Sequence, residues 1–254
     1  EAGRTARGMA IVNLLEIAPE ESITAVIPVK AFREDRYLMM LTKYGIVKKT
    51  DLASYANIRK GGLIAVNLRE DDSLIAVMTT EGEDRVLVAT RNGMGIQFSE
   101  ADVRPMGRAA TGVKAISLRE GDYVVAAEKV SPTAKVLNVT EKGYGKRTDI
   151  EEFKLQYRGG MGVKIHQLTE KTGLLAGVLM MEENEEVMLM TSEGVIIRLR
   201  GSDISTIGRV SQGVKLMHLN EGVSVVGIAK ITEEDMESEL EAQMEETTET
   251  SVEA

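Results

Sequence analysis

The chain has 254 residues, 43% of them hydrophobic, with no cysteine, no tryptophan and a formal net charge of −9. That length allows one large core or two small ones. The missing cysteines exclude disulfides and thiolate metal sites and fit a reducing compartment, and the few aromatics leave no platform for base stacking. No run approaches the roughly 20 apolar residues of a membrane span, and no signal peptide opens the chain. The first residue is Glu1, not methionine, so a fragment or processed product is expected.

In chain order, one anchor recurs: a glycine followed six residues later by leucine. It appears as "GMAIVNL" (Gly8, Leu14), "GLIAVNL" (Gly62, Leu68), "GVKAISL" (Gly112, Leu118), "GVKIHQL" (Gly162, Leu168) and "GVKLMHL" (Gly213, Leu219). The intervals are 54, 50, 50 and 51 residues. A second anchor, T-x-x-G, lies between them at Thr42–Gly45, Thr90–Gly93, Thr140–Gly143 and Thr191–Gly194, at intervals of 48, 50 and 51. Two anchors in step over four periods define a repeat.

Each period reads as four short strands bounded by turn residues. In the third they are 113–118, 123–127, 135–140 and 145–148, rich in β-branched residues. The pairs Asn92-Gly93 and Lys142-Gly143 stand where a two-residue hairpin requires positive φ. Four strands in about 50 residues is the arithmetic of a propeller blade. The expected fold is therefore all-β: a disc of about five blades with repeats starting near Gly8, Gly62, Gly112, Gly162 and Gly213. Five glycine anchors against four hairpin anchors leave the ring short of strands upstream of Glu1. Methionines such as Met39-Met40 and Met188-Met190 fall inside strands and read as core filler.

Charge divides the chain at Ile231. Residues 232–254 hold ten acidic residues and no basic one, leaving 31 basic and 30 acidic side chains in 1–231. The tail is expected to be disordered, and its tethered carboxylates would compete with any polyanion for the body's cations. Within the body, Arg4, Arg108, Arg158 and Arg209 each precede an anchor glycine by four residues. The second repeat slips by one, to Arg59, followed by Lys60. Cations also follow the hairpin turns, at Lys48, Lys49, Lys146, Arg147, Arg198 and Arg200; the second repeat has "IQF" there instead. One basic residue per repeat would form a positive rim suited to a duplex backbone, gripping phosphates without reading bases. The rival reading is a propeller that docks proteins, which needs no periodic cations.

Other chemistry is sparse. His166 and His218 stand in corresponding strands with no ligand cluster beside them, and read as ordinary strand histidines. No phosphate loop, nucleophile elbow or zinc-protease motif occurs. The chain is not expected to be an enzyme on its own or to hold a metal.

The stretches "GRTARGMAIVNLL", "ITAVIPV", "YGIVKKT", "TGVKAISL" and "IGRVSQGV" resemble the C-terminal domain of DNA gyrase A subunits, from Gly3 to about Ile231. The related A-type subunit of topoisomerase IV, which would present DNA segments, is the nearest rival. The resemblance implies a β-pinwheel whose blades exchange strands and whose rim wraps duplex DNA with positive handedness. It implies work beside a tyrosine-bearing cleavage core and a B subunit that binds ATP, with Mg²⁺, in an A2B2 enzyme of the bacterial cytoplasm and nucleoid. Six blades are the family's pattern, so the first is expected to be absent here. The family's box Q-x-x-G-G-x-G belongs to that first blade, yet Gln156, Arg158, Gly159, Gly160 and Gly162 match it. This turn reads as a degenerate copy in which glycines admit the DNA backbone and Arg158 meets phosphate. With the first blade's box missing, the chain is expected to bind DNA but wrap it poorly.

Overall fold

The structure is a computed structural model that describes residues 8, 13, 15, 17–18, 21–58 and 61–231. Arg4, Arg59, Lys60 and the acidic tail 232–254 lie outside the described residues. Each T-x-x-G folds as the tip of an antiparallel hairpin: β1 (Tyr37–Thr42) with β2 (Ile46–Asp51), β4 (Arg85–Thr90) with β5 (Met94–Ser99), β8 (Lys135–Thr140) with β9 (Tyr144–Thr148), and β12 (Glu186–Thr191) with β13 (Ile196–Arg200). In every turn the glycine N–H donates to the threonine carbonyl, at 2.9–3.0 Å. Only the glycine has positive φ, between 76° and 81°; Asn92 and Lys142 do not. The tip is thus a four-residue turn closed by a left-handed glycine, not the two-residue turn expected. The threonine is explained as well. Its Oγ1 accepts the N–H just past the turn, from Ile46, Met94, Tyr144 and Val195 at 3.1–3.3 Å.

A third strand lines the first strand of each hairpin: β3 (Leu74–Thr80), β7 (Val124–Lys129), β11 (Leu175–Met181) and β15 (Val225–Ile231). A two-residue strand closes the other side of three hairpins: β6 (Val113–Lys114) on β2, β10 (Val163–Lys164) on β5, and β14 (Val214–Lys215) on β9. These short strands are exchanged. The chain leaves hairpin β4–β5, gives β6 to the preceding sheet, then returns as β7 to its own. The four strands of the third sequence repeat therefore serve three sheets. A period in sequence is not a blade in space.

Four sheets form among the described residues, three with four strands and the last, β13-β12-β15, with three. Residues 21–36 contribute no strand, so five anchors yield four sheets. Strands β3, β7, β11 and β15 pack against one another at the centre, and β6, β10 and β14 end their sheets at the perimeter.

One hydrophobic cluster fills each gap between neighbouring sheets. Strand alternation feeds two clusters from one strand: Val86 and Val88 of β4 enter the first, Leu87 and Ala89 the second. Each fully buried aliphatic of this size contributes about 1.5–3 kcal/mol. Met39 and Met40 are buried as expected, but Met190 is 44% exposed, because no further sheet among the described residues covers the outer face of the fourth.

Candidate nucleic-acid interface

Four of the expected rim cations are interior. Lys48 and Lys146 are wholly buried, and Lys49 and Arg147 are only 4% exposed. The reason is the strand exchange. Each connector that crosses to a neighbouring sheet brings carbonyls into the protein, and buried carbonyls require donors. Lys48 Nζ donates to the carbonyls of Ala65 and Arg108. Lys146 Nζ donates to the carbonyls of Gly208 (2.9 Å) and Arg209 and to Ser211 Oγ at 3.1 Å. Burial pushes both ammonium groups down to about 8, with Arg108 adding to the effect on Lys48 and Arg209 to that on Lys146, where Glu152 opposes it. Lys49 Nζ sits 3.1 Å from the Glu100 carbonyl and 3.5 Å from its carboxylate, and stacks on Tyr37. Arg147 Nε donates to the Ile204 carbonyl at 2.9 Å, with Nη1 3.7 Å from Glu183. None of the four can reach a phosphate.

Arg108, Arg158 and Arg209 are half-buried at equivalent places in successive connectors. Arg158 donates to the carbonyls of Asp102 (2.9 Å) and Lys114 (3.0 Å), and Arg209 to that of Lys164. Each of these two therefore braces the exchanged strand of the neighbouring repeat. The box-like turn is likewise turned inward. Gly159 (φ +84°) and Gly162 (φ +70°) are left-handed, and a Cβ on Gly162 would lie 2.1 Å from the Gly95 carbonyl oxygen. Gln156 N donates to the Gln97 carbonyl, Gly159 N to that of Ala115, and the Gly160 carbonyl accepts from Ser117 N. Close approach is the task of Gly162, and the backbone it admits is the protein's own rather than that of DNA; a Cβ on Gly159 or Gly160 would lie at ordinary contact distance, 3.5 and 3.6 Å. Gly112 and Gly213 repeat the contact, with a Cβ 2.5 Å from the Val47 oxygen and 2.6 Å from that of Gly145.

Arg198 and Arg200, on the edge strand β13, remain at the surface with side chains 40% and 72% exposed. Both pair with Glu186, and the hydrogen bond from Arg198 is the main reason its carboxyl lies below the usual range.

The structure adds cations to those that stand four residues before each glycine. Lys114, Lys164 and Lys215 are exposed and stand on β6, β10 and β14, the outermost strands of three consecutive sheets. The signal was present as the repeated "GVK" inside the anchor itself. Arg104 and Lys154, exposed at matching places in two connectors, extend this edge. Arg104 and Arg158 line a shallow groove with Val113 and Tyr157, which is 67% exposed. Lys215 and Lys171 lie over the Tyr144 ring, 5.3 and 5.4 Å from its centre. The perimeter thus carries a basic residue at each exchanged strand, with half-buried arginines behind it.

His166 is buried, with Nε2 3.0 Å from the Gln212 carbonyl; burial first, and the charge of Lys146 second, push it down to about 4, so it is neutral. No group of three or more potential metal ligands occurs among the described residues, and no helix among them is long and apolar enough to cross a membrane.

Residues 1–30, 36–81, 84–131, 135–180 and 185–232 match the family model of the DNA gyrase C-terminal domain, a beta-propeller. The chain is 58% identical over 246 residues to the DNA gyrase A protein of Halalkalibacterium halodurans, covering 97% of the chain and 30% of that protein. It is 51% identical over 237 residues to the DNA gyrase A protein of Clostridium acetobutylicum, covering 93% of the chain and 29% of that protein. The chain therefore spans less than a third of these relatives. Among solved structures, it is similar to a C-terminal domain of DNA topoisomerase IV (TM-score 0.86, 30% identity, 94% of this chain and 75% of that one). A DNA gyrase A C-terminal domain shares the fold (TM-score 0.79, 24% identity, 89% and 76% of the two chains).

Proposed function

The chain belongs to the DNA gyrase C-terminal domain family, a beta-propeller family, and on that premise we propose that it binds duplex DNA along its perimeter and bends it around the disc. The observation that carries this reading is the register of Lys114, Lys164 and Lys215, one exposed cation on the outermost strand of each of three consecutive sheets. A duplex following that edge meets a positive charge at each blade. Phosphate contacts of this kind position the duplex without reading its sequence. Bending costs on the order of 1–6 kcal/mol for 40–90° over 20–30 base pairs, and a few charge-assisted contacts of roughly 1.5–3 kcal/mol each offset it. Arg158 and Arg209 serve by keeping the exchanged strands, and hence the lysines, at fixed height.

In the whole enzyme, this wrapping would deliver a positively crossed segment to the cleavage core, so that strand passage yields negative supercoils. Cleavage, ATP and Mg²⁺ are assigned to the rest of the A2B2 assembly, in the bacterial cytoplasm; this chain is assigned neither a catalytic residue nor a cofactor. The test is a titration of random-sequence duplex across a salt series, paired with closure of nicked circles in the presence of the chain. A fall in affinity of about 0.9 log units per log of salt for each phosphate contact is expected, with positive crossings captured in the circles but few of them, in keeping with the poor wrapping expected from the sequence. Affinity indifferent to salt would overturn the reading. A second reading, presentation of DNA segments without wrapping, draws on the similarity to the topoisomerase IV domain; it is favoured if the chain binds with steep salt dependence but captures no crossings.

A further inference from the structure

The residue six places after each turn threonine is Lys48, Ile96, Lys146 and Ile197 in the four hairpins. Lysine thus alternates with isoleucine at one strand position. What lies above it differs between the second and third hairpins. Ile96 is covered by the glycine turn, where a Cβ on Gly160 would lie 3.6 Å from its Cδ1, and that turn's carbonyls are taken by Ser117, whose N–H and Oγ donate to Gly160 and Gly159 at 2.8 Å. Lys146 lies under connector 204–212, where Gln167 takes the place of Ser117: its N–H donates to the Ser211 carbonyl at 3.0 Å, it carries no hydroxyl, and the Lys146 ammonium supplies three hydrogen bonds to Gly208, Arg209 and Ser211.

That connector leads to the perimeter. Lys146 holds the carbonyl of Arg209. The Arg209 guanidinium holds the carbonyl of Lys164. Lys164 is the exposed cation on β10, in the neighbouring sheet. The same link is reinforced by Gln167 N to the Ser211 carbonyl, at 3.0 Å, and by His166 Nε2 beside the Gln212 carbonyl. A charge that cannot touch a ligand is therefore two residues away from one that can.

We propose that Lys146 is a positioning residue for DNA binding: its ammonium fixes connector 208–211, the connector fixes Arg209, and Arg209 fixes the rim lysine Lys164. The inference rests on the DNA-binding reading above. An apolar side chain at this strand position is already accommodated in the second and fourth hairpins, so Lys146→Met should fold.

The experiment is a double-mutant cycle read by salt dependence. Random-sequence duplex is titrated across a salt series with the unaltered chain, Lys146→Met, Lys164→Ala and the double variant. Lys164→Ala should reduce the log–log slope by about 0.9, the loss of one phosphate contact. Lys146→Met should give a loss of similar size, and the double variant no more than either single one. Amide exchange should rise at 207–212 in Lys146→Met while β11 and β12 keep their protection. Additive losses, an unchanged slope in Lys146→Met, or exchange raised throughout the chain would overturn the relay, the last by making Lys146 a general stabiliser. Lys164→Ala without effect would also overturn it, leaving the DNA reading to Lys114 and Lys215. A flat salt dependence in the unaltered chain would instead sink the DNA reading itself.

Discussion

Gly162 meets the Gly95 main chain so closely that the exchanged strand can dock only without a side chain at 162: a methyl there would sit 2.1 Å from the Gly95 carbonyl oxygen. Gly162 is also left-handed, at φ +70°. Gly162→Ala therefore incurs about 1–2 kcal/mol of backbone strain and a clash with main chain that cannot rotate away. Gly222 has φ +82° but nothing within 4 Å, so Gly222→Ala should incur the backbone strain alone. Denaturant unfolding of the two variants should separate them clearly, with Gly162→Ala the less stable. Equal losses would show that the exchanged strand contributes little to the fold.

Lys48 gives a pH signature. Burial holds its folded value at about 8, below the ordinary 10.5. Between these values the unfolded chain binds more protons than the folded one, so stability rises with pH across that window. Below about pH 8 the cost of burying the charge is fully present. Lys48→Met removes the titration. Stability of the unaltered chain relative to this variant should climb from about pH 8 towards 10.5, measured by thermal or denaturant unfolding; a constant difference would count against a buried, titrating ammonium.

Glu128 should behave in the opposite sense. It stands on the central strand β7, and burial raises its carboxyl to about 7, with Lys230 and a hydrogen bond from the Met180 backbone acting against the rise. The folded chain then binds more protons than the unfolded one between about 4.5 and 7, so this group subtracts stability as pH rises through that range. Glu128→Gln should match the unaltered chain at the acid end and exceed it above neutrality. Its melting temperature relative to the unaltered chain, followed against pH, checks the sign.

For the perimeter, the combined variant Lys114→Ala, Lys164→Ala, Lys215→Ala should lower the log–log salt slope of duplex binding by roughly 2.7, three contacts at about 0.9 each. Its unfolding should be nearly unchanged, since exposed side chains contribute within about 0.5 kcal/mol. A slope equal to that of the unaltered chain would place the duplex elsewhere on the disc.

Much of the fold was legible because its devices are local. A left-handed turn demands glycine, and a hydroxyl must sit four residues before the N–H it caps; T-x-x-G records both. The glycine of G-V-K records a contact with main chain that tolerates no methyl group. The candidate site was only partly legible. Lys48, Lys49, Lys146 and Arg147 follow the turns as faithfully as any surface cation would, and nothing in their spacing says that a connector will close over them. Lys114, Lys164 and Lys215 were hidden inside the very motif that announced the repeat.

Period, strand content and turn chemistry are properties of neighbouring residues, and the amino-acid order alone determines them here. Which cations face water is not such a property. It depends on where the chain goes after each hairpin: backwards, to complete the preceding sheet. That return path carries buried carbonyls over β2 and β9, draws Lys48 and Lys146 inward to satisfy them, and leaves the lysines of the exchanged strands at the edge. Only the tertiary structure decides between those two fates, because both depend on contacts between segments 45–62 residues apart.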